Sequence, residues 1–191
     1  MSHIGLIGGV SPEATKIYYE LLNAHARTRH SGQHSARCNF FMLDYGVMIG
    51  HYHAENWDAF KAEVVKGAQA LKAGGASAIA ITSGTTHVAA AAVARETGLP
   101  VIHMLDSLTK AMIDKGIKRP LLLGTPWVMS GDFFRPALLK RYDGDPIVPG
   151  VILGCTELCM ILEADDCDVP VFSTTHIHAA AIDAWIVNST L

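Results

Sequence analysis

Short apolar segments alternate with helical segments along the whole chain, and this alternation constrains the fold more than any other feature. The apolar segments show no regular polar alternation, which is typical of strands buried on both faces. Strands are predicted at 3–8, 38–44, 77–82, 100–104, 120–124, 151–154 and 169–172. Helices are predicted at 12–29, 54–73, 85–97, 105–116, 131–142, 156–163 and 177–188. Strands separated by helices form βαβ units, so the predicted fold class is α/β with parallel sheets.

Composition indicates a buried core and excludes an intrinsically disordered chain and a nucleic-acid partner. The chain has 191 residues, of which 50% are hydrophobic and 17% are charged, so it can bury a core and is not intrinsically disordered. The chain contains 15 basic and 18 acidic residues, which gives a formal net charge of −3. Because no block of basic residues stands out, a nucleic-acid partner is not expected.

The N-terminal segment and the cysteines predict a cytoplasmic protein with reduced thiols. The first ten residues, MSHIGLIGGV, lack the basic region and long apolar stretch of a signal peptide. No apolar run of about 18 residues occurs, so no membrane span is expected. The four cysteines, Cys38, Cys155, Cys159 and Cys167, form no CxxC pair and no zinc-ribbon spacing. We therefore expect free thiols in a cytoplasmic protein.

Two strand-and-turn patterns occur twice in the chain. IGLIGG near the N-terminus is similar to PLLLGT at 120–125, and AIAITSGTTH at 78–87 is similar to GVILGCTELC at 150–159. The repeat predicts two related lobes, an N-terminal one at 1–103 plus 176–191 and a C-terminal one at 104–175. The second lobe is expected to be the smaller.

The second half of the repeat is shorter than the first. The interval from Gly8 to Ser83 exceeds that from Gly124 to Cys155 by about 44 residues, and a strand at 145–148 would leave Pro149 and Gly150 alone to join two parallel strands. A parallel crossover needs about a dozen residues. The sequence therefore predicts an abnormal Pro149–Gly150 junction, where either about 40 residues are missing or the second lobe is rearranged.

Ser83 and Cys155 occupy equivalent places in the repeat, because each ends an apolar strand and opens a predicted helix. A thiol at a helix start meets the positive end of the helix dipole and free backbone N–H groups, which favour the thiolate. We therefore predict that Cys155 is a base and that Ser83, a much weaker acid, is a proton donor. The alternative for Cys155 is a small buried apolar residue, which is the usual role of a free cysteine.

Two turns offer hydroxyl and backbone donors for an anion. Gly8-Gly9-Val10-Ser11 and Ser83-Gly84-Thr85-Thr86 each precede a predicted helix, and helix N-termini bind carboxylates and phosphates. The alternative is that the two glycines only form a strand-to-helix turn, since neither a P-loop nor a GxGxxG pattern is present.

The histidines raise the question of a metal site. His51 with His53, and His176 with His178, form HxH pairs without a carboxylate at ligand spacing, so no metal is expected. His87 lies one turn into its predicted helix and His178 opens the last one. Each is predicted either to orient a substrate or to serve as an ordinary polar residue.

Four segments carry a resemblance to a known family. They are GLIGGVSPEAT at 5–15, TSGTTH at 82–87, GVILGCTEL at 150–158 and PVFSTTHIHA at 170–179. In this order they resemble the aspartate/glutamate racemases, which are cofactor-independent amino-acid racemases. The resemblance implies two pseudo-symmetric, flavodoxin-like α/β lobes with the active site between them. It also implies a homodimer, a small carboxylate substrate and no pyridoxal phosphate.

The resemblance also implies roles for individual residues. In the family one residue removes the α-proton and another returns it on the opposite face, and the matching positions are Ser83 and Cys155. Substrate-binding positions match Val10, Ser11, Tyr52, Gly84, Thr85, Thr156 and His178, with Tyr52 in a loop after the second strand. No Arg or Lys lies in the matched loops, so the implied substrate is an amino acid or a related carboxylic acid.

Two other classes of function stay open. Hydantoin racemases, maleate isomerases and arylmalonate decarboxylases resemble the same lobes, and a single thiol suits protonation of one face. A non-catalytic protein that binds carboxylates is the other alternative, since Ser83 replaces the usual cysteine.

Overall fold

The computed structural model describes residues 3–30, 33–117, 119–130, 133–141 and 149–189, and it contains two parallel sheets. The first sheet has the order β2-β1-β3-β4, with β1 at Ile4–Gly8, β2 at Cys38–Met42, β3 at Ala78–Ile81 and β4 at Val101–Ile102. The second has the order β5-β6-β7, with β5 at Arg119–Leu123, β6 at Pro149–Leu153 and β7 at Val171–Ser173. The predicted α/β class with a smaller second lobe is confirmed.

Helices cover these sheets. The α-helices are α1 Pro12–His30, α2 Tyr45–His53, α3 Trp57–Ala73, α4 Ala90–Thr97, α5 Met104–Asp114, α6 Pro126–Ser130, α7 Phe134–Arg141 and α8 Thr174–Asn188. Within the described ranges, none of them combines the length and the apolar character that a membrane crossing needs.

Strand β1 shows why its sequence is apolar throughout. Ile4 and Leu6 pack in one cluster with Tyr18 of α1 and residues of α8, whereas Ile7 packs on the other face with residues of α3. Because successive side chains of a strand point to opposite faces, helices on both sides require apolar residues at every position. Ile4, Leu6 and Ile7 are accordingly buried, and the predicted two-sided burial is observed.

Several predicted elements differ from those observed. Residues 45–53, predicted as a loop, form α2, whose first turn is capped by the Asp44 carboxylate through the Val47 N–H at 3.0 Å. The two glycines within α2, Gly46 and Gly50, interrupt its apolar pattern and hide the helix from periodicity. The predicted helix at 156–163 is wrong. A short 3₁₀ turn at Leu158–Met160 lies there instead.

The helical segments that follow Ser83 and Gly124 also begin differently from the prediction. Segment 85–97 opens with a 3₁₀ turn at Thr85–Ala89 before α4 begins. The predicted helix at 131–142 corresponds to α7, with α6 as an additional short helix before it.

Pro149 and Gly150 are the first two residues of one continuous strand. In β6 they pair with Arg119 and Pro120 of β5, in parallel register. The predicted abnormal junction is therefore wrong, since residues 124–148 provide far more than the dozen or so residues that a parallel crossover needs. The error came from placing a strand at 145–148, a segment that lies outside the described residues.

Helix α8 contacts both halves of the molecule. It begins directly after β7 of the second sheet and packs against α1 and α5. Its buried residues Ala179, Ile182 and Ile186 belong to the cluster that covers β1 and β3. The predicted lobe boundaries, 1–103 plus 176–191 and 104–175, stay a prediction.

Candidate active site

A cavity of about 260 Å³ lies beyond the carboxyl ends of strands from both sheets. Residues that follow β1, β3, β5 and β6 line it, together with residues of α2 and Phe60 of α3. In open parallel sheets this edge is where ligands bind, because the strand-to-helix turns expose backbone donors there.

The cavity brings together most of the residues singled out in the sequence. Among those lining it are Val10, Ser11, Tyr52, Ser83, Gly84, Thr85, Cys155 and Thr156. His178 is not among the lining residues and is completely buried elsewhere. Ser83 and Cys155 thus reach one cavity from different sheets.

His87 fixes the turn that carries Ser83. The Ser83 carbonyl accepts a hydrogen bond from His87 Nδ1 at 2.7 Å, while His87 Nε2 accepts one from the Met104 N–H at 3.2 Å. Because an N–H can only donate and a carbonyl can only accept, His87 is neutral with its proton on Nδ1. Burial, and then the neighbouring His103 and His178, lower the pKa of His87 well below its ordinary value. His87 is therefore a positioning residue for Ser83.

The two lobes approach each other closely at Gly84. A Cβ atom placed on Gly84 would lie 3.1 Å from the Gly154 carbonyl oxygen of the second lobe. This is tighter than ordinary van der Waals contact, so glycine at this position lets the Ser83 turn and the Cys155 turn meet at the cavity.

The Cys155 thiol lies against a carboxylate. Its Sγ donates to Glu157 Oε2 at 2.8 Å, and burial together with the Glu157 carboxylate raises the pKa of Cys155 to about 11. The predicted helix dipole is absent, because no α-helix begins at Thr156, and the nearest charge is negative. The role of Cys155 as a base stays a prediction.

Glu157 is the site residue that sequence reasoning missed. Its Oε1 accepts from Ser11 Oγ at 2.5 Å, and its Oε2 accepts from Cys155 and from Thr156 Oγ1 at 3.2 Å. Burial raises the pKa of Glu157, but the hydrogen bonds from Cys155, Ser11 and Thr156 outweigh it, and the pKa falls below its ordinary value. A carboxylate two positions after a candidate cysteine was the feature that could have identified it.

Aromatic rings join the lobes beside the cavity. Tyr52 lies on α2, with its ring centroid 6.0 Å from Trp57 and 5.9 Å from Trp127. Trp57 of the first lobe meets Trp127 of the second edge-to-face at 4.5 Å. We call Tyr52, Trp57 and Trp127 the aromatic bridge.

His178 has a structural environment rather than a place in the cavity. Its Nε2 donates to the Ile102 carbonyl at 2.7 Å, and its Nδ1 accepts from the Tyr18 hydroxyl at 2.9 Å. Burial lowers the pKa of His178 to about 4. Both ring nitrogens therefore have protein partners, and the substrate contact of His178 stays a prediction.

The described part of the chain contains no group of three His, Cys, Asp or Glu side chains arranged to hold a metal ion. The hydroxyls of Ser83 and Thr85 lie at the cavity. The lining side chains that can donate or accept a proton include Cys155, Ser83 and Glu157.

Comparison with known proteins places the chain in a family. The family model for Asp/Glu/hydantoin racemases matches residues 7–151, which include the turns that carry Ser11 and Ser83. The chain belongs to the Asp/Glu/hydantoin racemase family.

Solved structures share the whole fold. A proposed Asp/Glu racemase from Yersinia pestis is 28% identical, with a TM-score of 0.90 over 98% of this chain and 100% of that one. An aspartate racemase homologue from Pyrococcus horikoshii OT3 is 24% identical, with a TM-score of 0.86 over the same shares. A glutamate racemase from Francisella tularensis, solved with D-glutamate, is 14% identical, with a TM-score of 0.66 over 99% of this chain and 82% of that one. The last two show a likeness of fold alone.

Proposed function

We propose that the protein is a cofactor-independent amino-acid racemase in which Ser83 and Cys155 exchange protons with the α-carbon of a carboxylic acid. One observation carries this proposal. Ser83 and Cys155 follow matching strands of the two sheets and line the same cavity. Family membership supports the same chemistry, because the family includes racemases.

The hydrogen bonds define a starting protonation state. Cys155 begins as a thiol whose proton points to the Glu157 carboxylate, and the transfer of that proton to Glu157 yields the thiolate that removes the α-proton. Ser83 donates to the opposite face, directly or through water. Since a serine hydroxyl is a weaker acid than a thiol, exchange of the α-hydrogen is expected to differ in rate between the two enantiomers, whereas kcat/KM for racemisation is equal in both directions because enantiomers have equal free energy.

Exchange of the α-hydrogen in deuterium oxide, followed separately from each enantiomer of a panel of amino acids, tests the proposal. We expect Cys155→Ala to abolish exchange in both directions and Ser83→Cys to accelerate the slower one, because it supplies a second thiol. Cys167→Ala is the matched control, since Cys167 does not line the cavity. Full activity in Cys155→Ala, or equal rates from both enantiomers, contradicts the mechanism.

A decarboxylase or isomerase of the same family is the second candidate. The observation that favours it is the protonated Cys155, since one thiol at a cavity can protonate one face of the carbanion left by loss of carbon dioxide. Incubation with α-substituted malonates, followed by chiral chromatography, distinguishes the two. Tight binding of carboxylates with neither exchange nor carbon dioxide release would indicate a non-catalytic binding protein.

The expected assembly and location belong to this proposal as well. We propose a homodimer that acts in the cytoplasm. Sedimentation equilibrium over a range of protein concentrations tests the first expectation, and cell fractionation tests the second.

A further inference from the structure

The wall of the cavity has two chemically distinct parts. The turns after the strands supply hydroxyls, among them those of Ser83 and Thr85, which suit a single carboxylate. The helices supply apolar and aromatic side chains, namely Met48, Ile49, Tyr52, Phe60 and Val128. A ligand that fills the cavity therefore places one polar end at the turns and an apolar part against the helices.

The apolar part has no partner for a second charge. Among the residues that the structure describes, no Lys, Arg or His lines the cavity. No basic side chain of the described chain is thus in place to bind a side-chain carboxylate.

The charge that does line the cavity is negative. Glu157 is held ionised by donors from Ser11, Cys155 and Thr156, which occupy both of its oxygens. It lies at the turns, so it does not supply a partner for a second carboxylate placed against the apolar wall. Such a carboxylate would lose its water without gaining a cation, which costs free energy because a buried charge needs a partner.

We infer that the ligand is an α-substituted carboxylic acid with one carboxylate and an uncharged apolar or aromatic side chain, rather than a dicarboxylic amino acid. The inference rests on the proposed function for the reaction at the α-carbon. The volume of about 260 Å³ lies just below the roughly 300–1,000 Å³ of pockets for drug-sized ligands, so it suits a single small metabolite.

Two measurements test this inference separately from the racemase proposal. The first is α-hydrogen exchange in deuterium oxide with phenylalanine and leucine against aspartate and glutamate. The second is calorimetric binding of 3-phenylpropanoate against glutarate. We expect exchange and binding to favour the apolar compounds by at least about tenfold, the ratio that 1.4 kcal/mol provides.

Each outcome has a defined meaning. Faster exchange with aspartate or glutamate overturns the inference and leaves the racemase proposal standing. Absence of exchange with all four amino acids, combined with tighter binding of 3-phenylpropanoate, supports the inference and overturns the racemase proposal. Tighter binding of glutarate, or binding of neither acid, overturns the inference.

A pair of variants on α2 tests the missing cation directly. Tyr45 and Val47 are both 47% exposed, but only Tyr45 lines the cavity. We expect Tyr45→Arg to shift the ratio of kcat/KM for aspartate over phenylalanine, or of glutarate over 3-phenylpropanoate binding, about tenfold or more toward the acidic compound. Val47→Arg should leave both ratios within about twofold. The same shift in both variants would show that net charge, not the cavity wall, sets the preference.

Discussion

At the scale of single residues, the Glu157 carboxylate decides the chemistry of the cavity. It connects Ser11 of the first lobe with Cys155 of the second, through hydrogen bonds of 2.5 and 2.8 Å. Burial, and then this carboxylate, raise the pKa of the Cys155 thiol to about 11, because a nearby negative charge disfavours a second one. Glu157 therefore connects the two turns and contributes to the raised pKa of Cys155.

Glu157→Gln is predicted to lower the pKa of Cys155 from about 11, because the negative charge beside the thiol is removed. Burial remains, so the pKa should stay above the ordinary thiol value. Each unit of decrease raises the thiolate fraction at pH 8 about tenfold. The pH dependence of Cys155 alkylation by iodoacetamide, followed by mass spectrometry of the peptide, measures the change.

Asp165→Asn is the control for this experiment. Asp165 is exposed and does not line the cavity, and its replacement alters the net charge by the same amount. An alkylation profile that is the same in Glu157→Gln and in the unmodified protein would show that burial alone raises the pKa.

At the scale of elements, α8 is attached to both α1 and β4 through one histidine. His178 accepts from the Tyr18 hydroxyl of α1 and donates to the Ile102 carbonyl of β4. The neutral ring satisfies both bonds, whereas a protonated ring would place a second donor against the hydroxyl in a fully buried site. The packing of α8 therefore depends on the protonation of His178.

The free energy of unfolding is predicted to fall as the pH drops from about 6.5 toward 4. The pKa of His178 is lowered to about 4 in the folded protein, so the unfolded chain binds the proton first, and protonation pulls the equilibrium toward it. An ordinary pKa near 6.5 in the unfolded chain makes the loss from His178 about 2 kcal/mol at pH 5. Buried His87, whose pKa is also lowered, adds to the loss in the same direction.

Urea unfolding at pH 7.5 and pH 5 measures this difference. His178→Gln should reduce it, because the amide can replace both hydrogen bonds and does not titrate. His176→Gln is the matched control, since His176 is exposed on the same helix. An equal pH dependence in His178→Gln and the unmodified protein would show that other groups cause the loss.

At the scale of the whole molecule, the cavity exists because two lobes meet at a few points. Gly84 approaches the Gly154 carbonyl, and Ser11 reaches Glu157. The aromatic bridge adds a third contact, between Trp57 and Trp127. A ligand in the cavity touches both lobes, so its affinity depends on how firmly these contacts hold them together.

Trp127→Ala is predicted to weaken ligand binding, because it removes the ring contacts of Trp127 with Tyr52 and Trp57. Each such aromatic pair contributes about 0.5–1.5 kcal/mol beyond its buried area. We expect a loss of about fivefold in affinity if half of the two contributions, about 1 kcal/mol, is transmitted to the ligand. Calorimetry with 3-phenylpropanoate and with glutarate measures the affinity.

Tyr19→Ala controls for the loss of an aromatic contact elsewhere. Tyr19 is exposed and meets Phe40 in the first lobe, away from the cavity. Unchanged affinity in Trp127→Ala would show that the aromatic bridge does not support the ligand site.

Much of the fold follows from local patterns. The fully apolar β1 and β3 predicted strands covered on both faces, and the parallel arrangement placed Ser83 and Cys155 at one edge of the sheets. Periodicity failed where short segments took other forms. The glycines of α2 interrupt its apolar pattern, so that helix was not predicted. An α-helix was predicted where a 3₁₀ turn lies at Leu158–Met160. A strand predicted at 145–148 led to the wrong prediction of an abnormal junction at Pro149.

The sequence by itself determined most of the turn residues that reach the cavity, such as Ser83 and Cys155, because that depends on strand order and on the residues after each strand. Only the tertiary structure decided their charge. Ser11 and Glu157 lie far apart in the chain but meet at 2.5 Å, and the pKa of Cys155 depends on burial and on charges within a few ångströms. The place of His178 also depends on tertiary contacts. Although it belongs to an HxH pattern, it is buried and connects α8 to α1 through the Tyr18 hydroxyl, and it does not line the cavity.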